Sequence, residues 1–402
     1  MSLELSTMLS DKIQAMSESA TIKMAQKARE LAAKGVKVIS LSLGEPDFDT
    51  PQHIKDAAVE GLAKGFTKYT PVSGLAELKK AIVGKFKREN GLDYTEKEIV
   101  VSTGAKQSIA NVVLSLVNPG DEVIIFAPYW VSYLEIVKFA GGIPVIISGS
   151  IDQDFKVSAQ QVADAITDKT KLIMFSSPCN PTGSLFSAEE LDAIAQVVLQ
   201  HDNIIVMSDE IYEHINFVGA HASIAQVPGM KDITALINGF SKGYSMTGWR
   251  LGYMAAPQWL AAACDKVQGQ ITSGAASFSQ YAAALALDGI QKPTHDMVAA
   301  FESRKKLVLS LLSQIPGVKV NNPQGAFYVF PDISAYFGTS NGDLSINNAD
   351  DFCEIMLSEA HVGCVSGSAF GDDNCIRISY AASEENLKTA IESLHQTLLT
   401  FK

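Results

Sequence analysis

Lys242 stands in the stretch Ser241–Tyr253, SKGYSMTGWRLGY, beside hydroxyls, a tryptophan and Arg250, among glycines. A lysine in such company is either a solvated surface residue or a nucleophilic amine. Other polar positions also follow apolar runs. Asp209 comes after the run Ile204–Met207, with Tyr212 three residues on. Asn180 sits in PCNPTG after LIMFSS, and STGAKQS, with Gly104, Ala105 and Lys106, follows EIVV. Each has an ordinary explanation taken singly. Asp209 could cap a helix, Tyr212 could be core, Lys242 could reach solvent along its apolar stem, and Arg250 could be a structural ion-pair partner. STGAKQS could be a glycine turn opening a helix, and it lacks the GxxxxGK[ST] spacing of a P-loop. Taken together they supply an amine, an acid, hydrogen-bond donors and an anion cradle.

That set is what pyridoxal phosphate needs. Lys242 can provide the amine for a Schiff base, and a buried lysine is costly unless used, because desolvation disfavours the ammonium form. Asp209 can keep the pyridine nitrogen protonated, so that the ring acts as an electron sink. Asn180 and Tyr212 can donate to the phenolate oxygen. The N–H groups of Ala105 and Lys106, at a helix start in the loop at Gly104, can bind phosphate, helped by Ser241 and Arg250.

The elements that must position these residues are legible as pattern. DEVIIFAP, TKLIMFSS, NIIVMSDEI and ITALINGF are short apolar runs that alternate with helical stretches such as GLAELKKAIVGKFKREN. Near-continuous apolar strands between helices predict an α/β fold, with a mostly parallel central sheet covered by helices on both faces. Ligands bind outside the carboxyl ends of such strands, where the polar positions lie. Residues 11–35 read as helical, VKVISLSLG as a short strand, and FESRKKLVLSLLSQ as a helix over 300–314. AFYVF and CIRISYA read as strands of a smaller α+β unit closed by a C-terminal helix. The expected division is residues 1–50 as an N-terminal segment belonging to the small domain, 51–295 as the large cofactor-binding domain, and 296–402 as the small C-terminal domain.

The chain has 402 residues, 47% hydrophobic and 19% charged, a globular composition too long for one core. A net charge of −12 without basic blocks speaks against nucleic acid and anionic membrane surfaces. No apolar run reaches membrane-spanning length, and the first residues lack the pattern of a secretory signal. Cys179, Cys264, Cys353, Cys364 and Cys375 are scattered, without CxxC spacing. They read as reduced thiols of a cytoplasmic protein, with no metal site.

The motifs LSLGEPDFDTP, KYTPVSGLAELKKAI, APYWVSY, NPTG, SDEIYEH, SKGYSMTGWRLGY, GAFYVF and IRISYA stand in the order found in class I aminotransferases. Over nearly its whole length the chain resembles that family, which has the aspartate aminotransferase fold, fold type I among pyridoxal-phosphate enzymes. The resemblance implies Lys242 as the covalent anchor of the cofactor, Asp209 as its pyridinium partner and Trp130 as the ring stacked on it. It implies Arg377 as a bidentate fork for the substrate α-carboxylate, with Gly44 and Asn180 beside it. It implies that Tyr69, in KYTP, reaches the phosphate in a neighbouring subunit, hence a homodimer with shared sites.

The chain is most similar to the bacterial branch of aspartate aminotransferases, in which a phosphate-loop lysine and an N-terminal threonine hold the distal carboxylate. Lys106 and Thr21 match those positions. Members of the branch that also aminate prephenate carry a basic residue shortly before the threonine, where this chain has Ser17. The implied reaction is ping-pong transamination of L-aspartate with 2-oxoglutarate, with Lys242 as both tether and proton shuttle. Fold alone leaves open a β-lyase, or an aminotransferase for aromatic or neutral donors. A regulator built on this module would need a basic DNA-recognition segment, which the sequence does not show.

Overall fold

The computed structural model describes residues 8–402. Its central sheet has seven strands: β1 (Ile99–Ser102), β2 (Glu122–Ala127), β3 (Ile143–Ser148), β4 (Thr170–Ser176), β5 (Ile205–Asp209), β6 (Thr234–Gly239) and β7 (Gly252–Ala255). Their order is β1-β7-β6-β5-β4-β2-β3. All run parallel except β7, which is antiparallel to both its neighbours. Strand alternation divides the side chains between two faces. Val123 and Ile125 join one core with the helices Ala105–Leu116 and Gln258–Ile271, while Ile124 and Phe126 join another with the helix Ala188–Val198. Burial on both faces is why β4, β5 and β6 read as unbroken apolar runs. A third core packs the helices Gln52–Ala63, Ala76–Lys85 and Ser277–Asp288 against the β1 and β7 edge.

The C-terminal residues form a separate layer. The helix Lys292–Leu312 passes position 295 without a break, and its first turn tolerates Pro293 because those N–H groups have no helical acceptor. It therefore begins well before the 300 expected from sequence. Antiparallel pairing joins Val365–Ser366, Ile376–Ser379 and Tyr328–Val329, and the helices Ala349–Ser358 and Glu384–Leu398 cover them. Met24, Ala28 and Leu41 are buried in this same core, and Ile39–Ser40 pairs in parallel with Val362–Gly363.

The helix expected over 11–35 is two helices, Asp11–Gln14 and Ala20–Ala33, separated by residues 15–19. The Ser17-Glu18-Ser19 run favours local turns over helix, and the Ser17 N–H is taken at 3.0 Å by the Glu135 carboxylate. The GLAELKKAIVGKFKREN stretch is α-helical over Ala76–Lys85 and then widens into a π turn, Phe86–Asn90. Among the described residues no helix is long and apolar enough to cross a membrane.

Candidate active site

The carboxyl edge of the sheet opens into a cavity of about 290 Å³. Asp209 is the last residue of β5. Asn180 lies four residues past β4, Lys242 three past β6, and Ala105 three past β1. Arg250 arrives from the other direction. Because β7 is antiparallel, its beginning lies at the carboxyl ends of the rest, and Arg250 sits two residues before it. Thr21, Gly44, Lys106, Trp130, Tyr212, Ser241 and Arg377 complete the expected residues in the lining. Gly104 stands directly behind Ala105. Tyr69 is not in the lining and is 99% exposed.

Burial brings two ionisable groups here to titrate near neutral pH. Desolvation pushes the Lys242 amine down to about 8; Arg377 and Arg250 lower it too, against the pull of Glu45 and Asp209. Its Nζ donates to the Gly44 carbonyl and lies 6.0 Å from the ring centres of Tyr212 and Phe327. Desolvation lifts the Asp209 carboxyl to about 6, against donors that favour its ionised form. Those donors are the Tyr133 hydroxyl, at 2.5 Å from Oδ2, and the Ile211 N–H, at 3.3 Å from Oδ1. The Tyr212 and Tyr328 hydroxyls bond to each other at 2.8 Å, and burial raises both phenols, so they stay protonated donors.

Arg377, from the strand Ile376–Ser379, is 2% exposed. Its Nη1 donates to Asn180 Oδ1 at 2.9 Å and its Nη2 to the Ser42 carbonyl at 2.5 Å. Tyr328 and Phe370 flank the guanidinium at 4.7 and 4.9 Å, and Nε has no partner. Lys106 Nζ lies 4.9 Å from the Trp130 ring centre, and burial, with Arg250, lowers its pKa. Among the described residues no carboxylate forms an ion pair with Lys106, Lys242, Arg250 or Arg377. Four cations thus surround one buried carboxylate, an arrangement that calls for anionic ligands.

The backbone makes room for one of those anions. Gly104 has φ +83°, and a Cβ there would clash with the Arg250 guanidinium. A Cβ on Gly252 would clash with the Ala105 nitrogen. The first N–H groups of the helix Ala105–Leu116, the Ser241 hydroxyl and the Arg250 fork therefore offer donors in one cavity for an anion such as a phosphate. A buried acid, a desolvated amine, paired phenol donors and these anion donors around one cavity fit pyridoxal phosphate.

Residues 36–394 match the aminotransferase class I and II family. The chain belongs to that family. An aspartate aminotransferase of Bacillus sp. (strain YM-2) is 46% identical over 96% of this chain and 98% of its own length. A Petunia hybrida protein named a bifunctional aspartate aminotransferase and glutamate/aspartate-prephenate aminotransferase is 46% identical over 100% of this chain and 85% of its own. Among solved structures, the aspartate aminotransferase of Rhizobium meliloti superposes with a TM-score of 0.95, at 40% identity, covering 98% of this chain and 99% of that one. That of Thermus thermophilus with maleate gives 0.91 at 39%, covering 97% and 99%. Class I aminotransferases use pyridoxal phosphate, and the protein is an enzyme of that transaminase class.

Sequence reasoning passed over Tyr133, Tyr328 and Ser42. Tyr133 lies one turn beyond Trp130 inside the APYWVSY motif, and Tyr328 lies inside GAFYVF, so the motifs held the signal but no role. Ser42 acts through its carbonyl, which no side-chain pattern reveals.

Asp209 generates a stability prediction. A carboxyl whose pKa is higher folded than unfolded costs nothing below the unfolded value near 3.8. The cost grows up to about pH 6 and is complete above it. A rise of about two units corresponds to about 3 kcal/mol. In cofactor-free protein, Asp209→Asn should raise the thermal unfolding midpoint at pH 8, and the gain should vanish toward pH 4. Thermal melts across that range will show it, and a pH-independent difference would contradict it.

Proposed function

We propose that this protein is an aspartate aminotransferase that uses pyridoxal 5′-phosphate to carry the amino group of L-aspartate to 2-oxoglutarate, giving oxaloacetate and L-glutamate in two half-reactions. The observation that carries this reading is the cavity that Lys106, Lys242, Arg250 and Arg377 share with Asp209, without carboxylate partners among the described residues. The names of the Bacillus sp. and Rhizobium meliloti relatives support it. So does the Thermus thermophilus structure with maleate, which is a dicarboxylate. Five free cysteines suit a cytoplasmic setting.

Asp209 would hold the ring nitrogen, Asn180 and Tyr212 the ring oxygen, and Trp130 the ring face. The amides after Gly104, with Ser241 and Arg250, would hold the phosphate. Bound there, the cofactor supplies an aldehyde carbon that accepts the amino group and a protonated ring that draws off the electron pair released at the substrate Cα. Arg377 orients the substrate by a two-pronged grip on its α-carboxylate, its fork held in place by Asn180, Ser42 and the flanking rings. Lys242 Nζ, losing its proton at about 8, takes the Cα proton and gives it back, the work of a base tuned close to the operating pH. Lys106 and Thr21 receive the distal carboxylate. Tyr69, exposed and outside the cavity lining of its own chain, fits a phosphate contact in a second copy, and so a homodimer with shared sites.

A second reading adds prephenate as acceptor, as in the Petunia hybrida relative's name. Ser17 argues against it, because the position lacks a cation and its N–H is spent on Glu135.

Steady-state rates with a panel of amino donors, using 2-oxoglutarate and then prephenate as acceptor, test the reading. Aspartate and glutamate should lead, with little turnover of prephenate. A hydrogen bond to a charged group contributes about 1.5–3 kcal/mol, on the order of 10- to 100-fold in rate. Lys106→Ser should therefore lower kcat/KM for aspartate and glutamate by that factor and leave alanine or phenylalanine nearly unchanged. An equal loss for all donors would assign Lys106 to the cofactor instead. For Tyr69, mixing Tyr69→Phe with Lys242→Ala subunits should regenerate sites with both native residues. Verified heterodimers that recover no activity, where Tyr69→Phe alone is impaired, would place Tyr69 in its own subunit's site.

A further inference from the structure

The Asp209–Tyr212 segment also faces a second group of charges, which the reaction above does not use. Neither Glu210 nor Glu213 lines the cavity. Glu210, 1% exposed, accepts from Ser208 Oγ at 3.0 Å and Ser223 Oγ at 2.7 Å on Oε1. Its Oε2 stands 3.1 Å from His221 Nε2. The contact is poorly aligned as a hydrogen bond, so Coulomb attraction is what holds the pair. Glu213 is paired with the fully buried Lys85 and accepts from Asn90 Nδ2 at 3.2 Å. Lys85 Nζ also donates to Asn90 Oδ1 at 2.9 Å and lies 3.9 Å from Glu89. Glu89 in turn lies 3.1 Å from His214 Nε2. The Tyr94 hydroxyl is buried nearby without a partner.

Three carboxylates, Glu89, Glu210 and Glu213, therefore face Lys85, two imidazoles and Arg88, whose Nη2 lies 2.9 Å from Glu89 Oε1. With Lys85 and Arg88 as fixed cations, the group is electroneutral when one imidazole carries a proton. Lys85 is committed to Glu213. Despite burial, it is the main cause that holds the Glu213 carboxyl down at about 2. Among the described residues, His221 is the one cation in contact with Glu210. An unpaired carboxylate at this depth would be costly, and its charge would act on its neighbours across a poorly screened interior.

We propose that His221 is a positioning residue for Asp209: as an imidazolium it neutralises Glu210, the carboxylate next to Asp209 in the chain, and so keeps Asp209 ionised where the cofactor's ring nitrogen must be held. The inference rests on the pyridoxal phosphate site proposed above. Burial alone would lower the His221 pKa, but Glu210 and then Glu213 raise it above the ordinary histidine value. Glu210 is likewise a cause that raises Asp209. With its pKa raised, His221 stabilises the fold fully below the ordinary histidine range, and that contribution fades as pH climbs through its folded value.

The test is the affinity of the full-length, cofactor-stripped protein for pyridoxal phosphate between pH 5 and 8, read by quenching of tryptophan fluorescence. The cofactor's own titration is common to every variant, so the differences between variants carry the information. Wild-type affinity should fall as Asp209 gains its proton. In His221→Gln that fall should begin about one pH unit higher. In Glu210→Gln it should begin lower, and in the double variant it should return toward wild type. A purely structural role would weaken binding at every pH without moving the midpoint. Midpoints that coincide, with wild type binding normally, would overturn this inference alone. Absence of saturable binding by wild type would overturn the underlying site as well. Should His221→Gln fail to fold, Glu210→Gln decides, and an unmoved midpoint there overturns the inference.

Discussion

Four cations that, among the described residues, have no carboxylate partner, set around one buried carboxylate, are the constraint on which the rest of the site depends. Burying charge without a partner is unfavourable by several kcal/mol per ion; Arg377 and Asp209 are buried in this cavity and Lys242 is half-buried, while Lys106 and Arg250 stay exposed. The surroundings limit the cost by moving protons. The Lys242 amine is drawn down to about 8 and the Asp209 carboxyl up to about 6, so that each titrates closer to neutral pH. The remaining excess of positive charge is what anionic ligands relieve on binding. A cofactor phosphate and a dicarboxylic substrate suit that excess, and much of their affinity would come from the relief.

The fold concentrates these groups through one departure from regularity. A wholly parallel sheet would bring polar residues to its carboxyl edge only after each strand ends. The antiparallel β7 brings Arg250 there before its strand begins. Gly104 and Gly252 let the backbone close around that arginine and the start of the following helix. Arg377 comes from a different layer, the C-terminal sheet, and is fastened to Asn180 on the large-sheet side and to the Ser42 carbonyl on the N-terminal segment. The proposed α-carboxylate grip thus draws on three distant parts of the chain.

Much of this was legible in the sequence because the cause was local. LIMFSS and NIIVMS read as strands because burial on both faces removes alternation, and the polar residue ending each run marked the site. Edge strand β3 carried a weaker signal, since its side chains are partly exposed and its pattern is mixed. What escaped depends on contacts across the fold. The helix expected over 11–35 breaks where Ser17 meets Glu135, 118 residues away. Tyr133 looks like a core residue until its hydroxyl is seen on Asp209, 76 residues further on. The charged group around His221 draws on helix 76–85, the turn after it and the 221–226 loop, and no motif spans them.

The central claim is that Lys242 is the amine that carries the cofactor. Sodium borohydride reduction of the holoprotein, followed by proteolysis and mass mapping of the phosphopyridoxyl group, tests it most directly. The label should lie on Lys242, in the peptide containing SKGYSMTGWR, and on no other lysine. A label on a different lysine, or a fully loaded protein that takes up none, would contradict the account.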